Sequence, residues 1–309
     1  MNPEGITNPR PAQRFKWSGH PGYPVNDTKD DILMIYLNGS YMPVEEAKVS
    51  VLDRGFLFGD GVYEVIPVYG GRPFRLDEHL RRLDDSLRGI RMESPLDDAQ
   101  WLEVFRRLID GTHDQYLYLQ ITRGAAPKRD HAIPVGVKPT VFVMCSPISP
   151  IPPEGVAAVT VPDIRWQWCH IKAITLLSNV LLRQEALDRG AIEGILIRDG
   201  RVIEGAASNV FAVLGGVLTT PPKSHELLPG VTRDLVLELA RANQIPCEER
   251  QMTLAEVRQA DELWLTSSTR EILPVIRLDE MPVGNGEPGP LWARLHQLYQ
   301  TYKQYLRNP

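Results

Sequence analysis

Four prolines within SPISPIPPEG, residues 146–155, constrain the architecture of this chain more than any other feature. Proline fixes φ and has no backbone N–H to donate, so the stretch can form neither a helix interior nor a central strand. It reads as a linker at residues 147–155, between a first domain at 31–146 and a second at 156–309. A chain of 309 residues has room for about two domains.

The patterns on either side of the linker are α+β before it and mixed α/β after it. ILMIYLN ends at the turn Asn38-Gly39, and VYEVIPVY turns at Gly70-Gly71 into RPFRL. LDEHLRRLDDSLRGI places Leu76, Leu80, Leu83 and Leu87 on one helical stripe, and LDDAQWLEVFRRLID opens with the acidic residues that suit a helix start. YLYLQIT and PTVFVMC are strands. Past the linker come the strand VAAVTV and a helix stopped at Gly190. Hairpins follow at Asp199-Gly200 and in NVFAVLGGVLTT, then the helix VTRDLVLELARANQ, two strands in ELWLTSSTREILPVIRL, and a closing helix LWARLHQLYQTYKQYL.

Charge narrows the possible partners. The 34 Lys+Arg and 39 Asp+Glu leave a net charge of −5 with both signs mixed along the chain, which argues against nucleic acid and membrane surfaces. No apolar run approaches the roughly 20 residues a membrane helix needs, and the first residues lack the apolar core of a signal peptide. Cys145, Cys169 and Cys247 match no zinc or redox spacing, so a reducing cytoplasm is expected. Residues 1–30, rich in Pro, Gly and Asn, read as a poorly ordered arm.

The histidines form no HxH or HExxH pair, so no metal site is expected. Cys169 and His170 are neighbours that point to opposite faces of an extended chain, which rules them out as a nucleophile–base pair. Gly284, Gly286 and Gly289 spell GxGxxG and suggest a nucleotide-binding oxidoreductase. That fingerprint requires a buried strand before it and an acidic residue about 20 positions after it. MPV precedes it and the chain stops at Pro309, so a surface turn is the better reading.

Lys172, in HIKAITLLSNVLL, is the more informative residue. A desolvated lysine favours the neutral amine that attacks a carbonyl to form a Schiff base, although a lone lysine before an apolar helix also fits a snorkelling side chain. A pyridoxal cofactor would further require an acid for its ring nitrogen and donors for its phosphate. Glu204 ends a hairpin in an apolar strand and needs a cation there. Gly230, Val231 and Thr232 start a helix, whose free N–H groups attract anions. Thr266, Ser267 and Ser268 add clustered donors, and Arg82 is a candidate counter-charge.

In order along the chain, LDRGFLFGDGVYEV, EHLRRL, ITRG, DIRW…IKAITLL, EGAASNVF, LPGVTRD and LTSSTREILPV resemble the class IV aminotransferases, the fold-type IV pyridoxal-phosphate enzymes, and among them the D-amino-acid transaminases. The resemblance covers most of residues 34–305. It implies a two-domain fold-type IV architecture, α/β and α+β, with pyridoxal 5'-phosphate as cofactor. It also implies a homodimer with shared active sites and an amino acid and a 2-oxo acid as substrates. By position it makes Lys172 the Schiff-base lysine and Glu204 the partner of the pyridine nitrogen. Arg82, Val231, Thr232, Ser267 and Ser268 form the phosphate side, Ser208 and Asn209 belong to the cofactor turn, and Tyr63 lines the substrate side. Arg129 and His131 match the Arg-x-His pair that holds a substrate carboxylate.

Two departures stand out. The spacing from ITRG to Arg-x-His has one extra residue, which makes Lys128 a competing anion binder. The turn after Glu204 is Ala206-Ala207-Ser208 rather than serine-rich. Branched-chain (L) aminotransferases, (R)-selective amine transaminases and aminodeoxychorismate lyase share the fold and remain alternatives.

Overall fold

The computed structural model describes residues 33–111, 113–149 and 152–307. The expected N-terminal arm, and Pro150 and Ile151 of the linker, lie outside these residues. The described residues form two compact units. One comprises residues 33–148, Ile171–Thr175 and residues 306–307; the other comprises residues 149–170 and Leu176–Tyr305.

The first unit contains β1 (Met34–Leu37), β2 (Ser40–Pro43), a 3-10 turn, α1 (Arg54–Phe58), β3 (Gly61–Tyr69), β4 (Arg72–Pro73), α2 (Leu76–Gly89), α3 (Asp98–Leu108), β5 (Gln115–Thr122) and β6 (Thr140–Pro147). Its six strands run in the order β2-β1-β6-β5-β3-β4, every pair antiparallel. Asn38 and Gly39 both adopt positive φ, as a two-residue hairpin turn requires. The stripe Leu76, Leu80, Leu83 and Leu87 is buried with Val62, Ile66, Leu117 and Val143 of the sheet. Each such leucine contributes about 1.5–3 kcal/mol by leaving water. Asp97 and Gln100 close a reciprocal capping box at the start of α3.

Residues 171–175 join this unit because they add a short extended segment beside β3. Ala173 bridges to Val62, and Ile171 and Ala173 enter the core. A linear cut at the prolines places them with the second domain. Backbone pairing places them with the first unit.

The second unit holds β7 (Val156–Pro162), α4 (Leu177–Asp188), β8 (Glu193–Arg198), β9 (Arg201–Gly205), β10 (Asn209–Leu214), β11 (Val217–Thr220), α5 (Val231–Ala242), β12 (Cys247–Glu249), β13 (Met252–Thr253), α6 (Leu254–Arg258), β14 (Glu262–Ser267), β15 (Glu271–Leu278), β16 (Met281–Pro282) and all but the last two residues of α7 (Pro290–Arg307). Its mixed sheet has the order β12-β11-β10-β14-β15-β7-β8-β9-β13, with β16 added on β15. Strands β7 and β8 run parallel, joined through α4, whose Leu182 and Ala186 pack on Val159, Val161 and Leu196. The Asp199-Gly200 turn again has positive φ at both residues.

The GxGxxG segment forms a turn ahead of α7. The first N–H groups of α7, at Leu291 and Trp292, donate to the Glu262 carboxylate at 2.8 Å each. A side chain of the protein itself therefore fills the place a dinucleotide phosphate would take.

Candidate active site

Lys172 is held by its backbone on both sides. Its N–H donates to Ser86 Oγ at 3.1 Å, and its carbonyl accepts from Tyr63 N at 2.9 Å. Burial of Ile171 and Ala173 turns the intervening side chain to the opposite face. Lys172 Nζ lies 4.0 Å from the centroid of the Tyr63 ring. Among the described residues no carboxylate lies within ion-pair distance of it. Tyr63 leans on Tyr118 with ring centroids 5.8 Å apart. Burial pushes the Tyr118 phenol up to about 12, so it stays a neutral hydrogen-bonding group.

Next to Tyr63 on β3, Glu64 is fully buried. Arg82 Nε and Nη2 donate to its two oxygens at 2.7 and 2.8 Å, and His79 Nδ1 lies 2.8 Å away. Burial works against the Glu64 charge, but the Arg82 charge and the hydrogen bonds outweigh it and hold the carboxyl well below the usual range. Burial also lowers the His79 imidazole, so a neutral ring donates from Nδ1. In the pair Arg81-Arg82, Arg81 is the solvated member and Arg82 faces inward. Tyr63, Lys172 and Arg82 are thus brought to one region of the first unit, joined through β3, α2 and the 171–175 segment.

The loop between β5 and β6 carries the other candidates of this unit. Lys128 pairs with Asp130 at 3.2 Å. Arg129 instead lays its guanidinium 4.8 Å from the Phe58 ring centroid, and the His131 ring lies 5.2 Å from the same centroid. Arg129 and His131 are both exposed and share one aromatic support, while Lys128 is neutralised by its neighbour.

In the second unit, Glu204 is the second-last residue of β9 and is 4% exposed. Arg165 Nη1 donates to its Oε1 at 2.5 Å, and Asn209 Nδ2 and Leu228 N donate to Oε2 at 3.1 Å each. Arg165 also grips Asp163 at 2.9 and 3.0 Å. This is the cation that an acid at an apolar strand end demands. Burial nevertheless pushes the Glu204 carboxyl up to about 7, against the pull of Arg165. An ionised carboxylate has about four acceptor positions. Three donors leave room for one more, such as a protonated ring nitrogen.

Val231 and Thr232, both buried, begin α5, and their N-cap Gly230 supplies no side-chain cap. A Cβ on Gly230 would stand 2.0 Å from Asn209 Oδ1, so the glycine lets the helix start pack against the residue that also holds Glu204. Ser267 closes β14 and Ser268 enters the following loop, both half-buried. The buried Thr266 hydroxyl has no hydrogen-bond partner among the described residues. A helix start without a side-chain cap and an orphaned hydroxyl fit an anionic group such as a phosphate. Ser208 is buried and donates to Glu193 at 3.4 Å. Asn209, Glu204, Val231 and Thr232 therefore share one region of the second unit, with Ser208 held beside it by Glu193.

Sequence reasoning assigned no role to Glu64, His79, Asp163 or Arg165. The available signals were the D-x-R alternation in DIRW and the H-x-x-R spacing on α2, both of which place two side chains on one face.

The family model for amino-transferase class IV matches residues 61–278. The chain belongs to that family, and its architecture is the fold-type IV fold. The D-alanine aminotransferase of Bacillus licheniformis is 41% identical over 274 residues, covering 87% of this chain and 96% of that protein. Among solved structures, the branched-chain amino acid aminotransferase of Escherichia coli is similar with a TM-score of 0.79 and 29% identity, covering 87% of this chain and 94% of that one. The branched-chain amino acid aminotransferase of T.th., solved with pyridoxamine 5'-phosphate, also has a TM-score of 0.79 and 29% identity, covering 90% of this chain and 96% of that one.

Proposed function

We propose that this aminotransferase uses pyridoxal 5'-phosphate, held by Lys172, to move the amino group of a D-amino acid such as D-alanine to a 2-oxo acid. The observation that carries the reading is the arrangement at Lys172: a lysine fixed by its backbone, set over an aromatic ring and without an acidic partner among the described residues. Glu204 would hold the protonated pyridine nitrogen. The α5 start at Val231 and Thr232, with Ser267, Ser268 and Arg82, would hold the phosphate, and Ser208 and Asn209 the turn beside Glu204. When bound, the cofactor supplies an electron sink for the substrate's α carbon.

The protein's own groups do the rest. Lys172 Nζ takes the α proton and returns it, as base and then acid. A ring N–H donated to Glu204 would add to the support it already has from Arg165 and favour its ionised form. Arg129 and His131 bind the substrate carboxylate, because a guanidinium fixes both its position and its plane. With the carboxylate fixed on one flank, one enantiomer presents its α proton to Lys172.

Two copies of the chain would pair. Support comes from exposed apolar side chains: Phe56 and Val51 in the first unit, and Leu177, Val180 and Leu181 on α4 in the second. In such a dimer the Arg129 loop serves the other copy's site. The free cysteines suit a reducing cytoplasm, and no helix among the described residues is long and apolar enough to cross a membrane.

The similarity to branched-chain enzymes favours a second reading, L-branched-chain transamination. A donor screen of D-alanine, L-leucine and (R)-1-phenylethylamine against pyruvate and 2-oxoglutarate decides. Dominant turnover of D-alanine supports the proposal, and dominant turnover of L-leucine replaces it. Pyruvate release from aminodeoxychorismate without an amino acceptor would point to a lyase.

A further inference from the structure

The segment LDRGFLFGDG has no part in the proposed chemistry, yet it is among the most firmly tied pieces of the first unit. Asp53 caps α1 through Gly55 N at 2.7 Å, and it also accepts from Thr122 Oγ1 at 2.7 Å and Thr140 Oγ1 at 2.6 Å. Asp60 accepts from Arg54 at 2.7 Å and from Arg123 of the ITRG segment at 2.8 and 2.9 Å. Burial alone would raise the Asp60 carboxyl, but Arg123 and Arg54 outweigh it and keep it below its ordinary value. The helix α1 is thereby fastened to the ends of β5 and β6.

From this anchored position Arg54 reaches the loop that carries the Arg-x-His pair. Its Nη atoms donate to the carbonyl oxygens of Asp130 at 2.5 Å, Ala132 at 3.3 Å and His131 at 3.4 Å. Phe58, one turn further along α1, receives the guanidinium groups of Arg54 and Arg129, each 4.8 Å from its centroid, and the His131 ring. Residues 123–139 hold no helix and no strand beyond a single bridge at Ala125. A loop of that length samples many conformations unless something holds it, and ordering it on binding would weaken affinity.

We infer that Arg54 and Phe58 are positioning residues for substrate recognition: Arg54 fixes the backbone of residues 130–132 and Phe58 fixes the side chains of Arg129 and His131. The inference rests on the carboxylate role proposed for those two residues. The fork geometry matters because a lysine offers one compact charge and cannot reach Asp60 and the loop carbonyls together.

The test uses the purified holoenzyme and the variants Arg54→Lys, Phe58→Leu and Arg129→Ala. Hydrogen–deuterium exchange of peptides covering residues 126–134 is read alongside steady-state kinetics with D-alanine and 2-oxoglutarate. Arg54→Lys keeps a cation beside Asp60, and Phe58→Leu alters no charge, so each spares the fold while loosening the platform. Both should exchange faster in the loop and raise the D-alanine KM about tenfold, equivalent to ~1.4 kcal/mol, with kcat changed by less than about twofold, as expected for lost uniform binding. Unchanged loop exchange, or an unchanged D-alanine KM, in both variants overturns the inference. If Arg129→Ala leaves the D-alanine KM unchanged, it is the carboxylate reading that falls. In that case faster exchange in the two platform variants still supports loop holding, and unchanged exchange removes it too.

Discussion

Replacing Arg165 with methionine keeps most of the apolar volume of the side chain and takes away the cation that Glu204 touches. The pair joins two side chains each 5% exposed, so solvent screens it little. Removing one partner of a buried pair costs about 3–5 kcal/mol. The lower end applies here, because Asp163 keeps Arg198 at 2.9 Å and Glu204 keeps the N–H donors of Asn209 and Leu228. The pH dependence follows from Glu204, whose carboxyl burial pushes up to about 7 in the folded chain, against an unfolded value of about 4.3. A folded value above the unfolded one means that folding favours the protonated form. Its stabilising contribution is complete below about pH 4.3 and is lost as pH rises through the folded value. Without Arg165 that value climbs further, and each extra unit removes ~1.4 kcal/mol at alkaline pH. The stability gap between wild type and Arg165→Met should therefore be smallest near acidic pH and widen toward about 3 kcal/mol under alkaline conditions. Urea unfolding of the cofactor-stripped proteins at one fixed concentration, at about pH 5.5 and about pH 9, bracketing the titration, measures it. An equal gap at both pH values, or one below about 1 kcal/mol at the alkaline end, would refute the reasoning.

Three further outcomes are expected. Lys172→Ala should lose borohydride-stable attachment of the cofactor and about 10²-fold or more in rate; a variant that still traps cofactor covalently would place the anchor elsewhere. Arg129→Ala should weaken D-alanine by about 1.5–3 kcal/mol, whereas Lys128→Ala, which removes an exposed pair, should change kcat/KM by less than about threefold; equal losses with (R)-1-phenylethylamine would show that no carboxylate is held there. Mixing inactive Lys172→Ala with weakened Arg129→Ala subunits should give more activity at low D-alanine than either variant alone, because the heterodimer holds one site with both residues, and no gain after verified subunit exchange would argue against shared sites.

Local physics made much of the fold legible in the chain itself. The turns at Asn38-Gly39 and Asp199-Gly200 depend on residues that tolerate positive φ, and both form. The leucine stripe of α2 follows from the helical period, and all four leucines are buried. Short elements such as α1, β12, β13 and α6 were not legible, because runs of five residues or fewer repeat a pattern too few times to show it, and they take their shape from neighbours. The family resemblance picked out a lysine, an acid and an Arg-x-His pair, residue types able to fill the proposed roles of covalent anchoring, ring protonation and carboxylate binding. Partnership across the chain was decided only in three dimensions. Glu204 meets Arg165 across 39 positions, Arg82 turns inward to Glu64 while Arg81 faces water, and Arg54 reaches carbonyls 76 to 78 positions away. Periodicity and turn chemistry act over a few residues, whereas the cation a buried carboxylate finds depends on which strands pair and where loops return. The residue types that chemistry demands were written in the sequence, and their charges and orientations came from the folded chain.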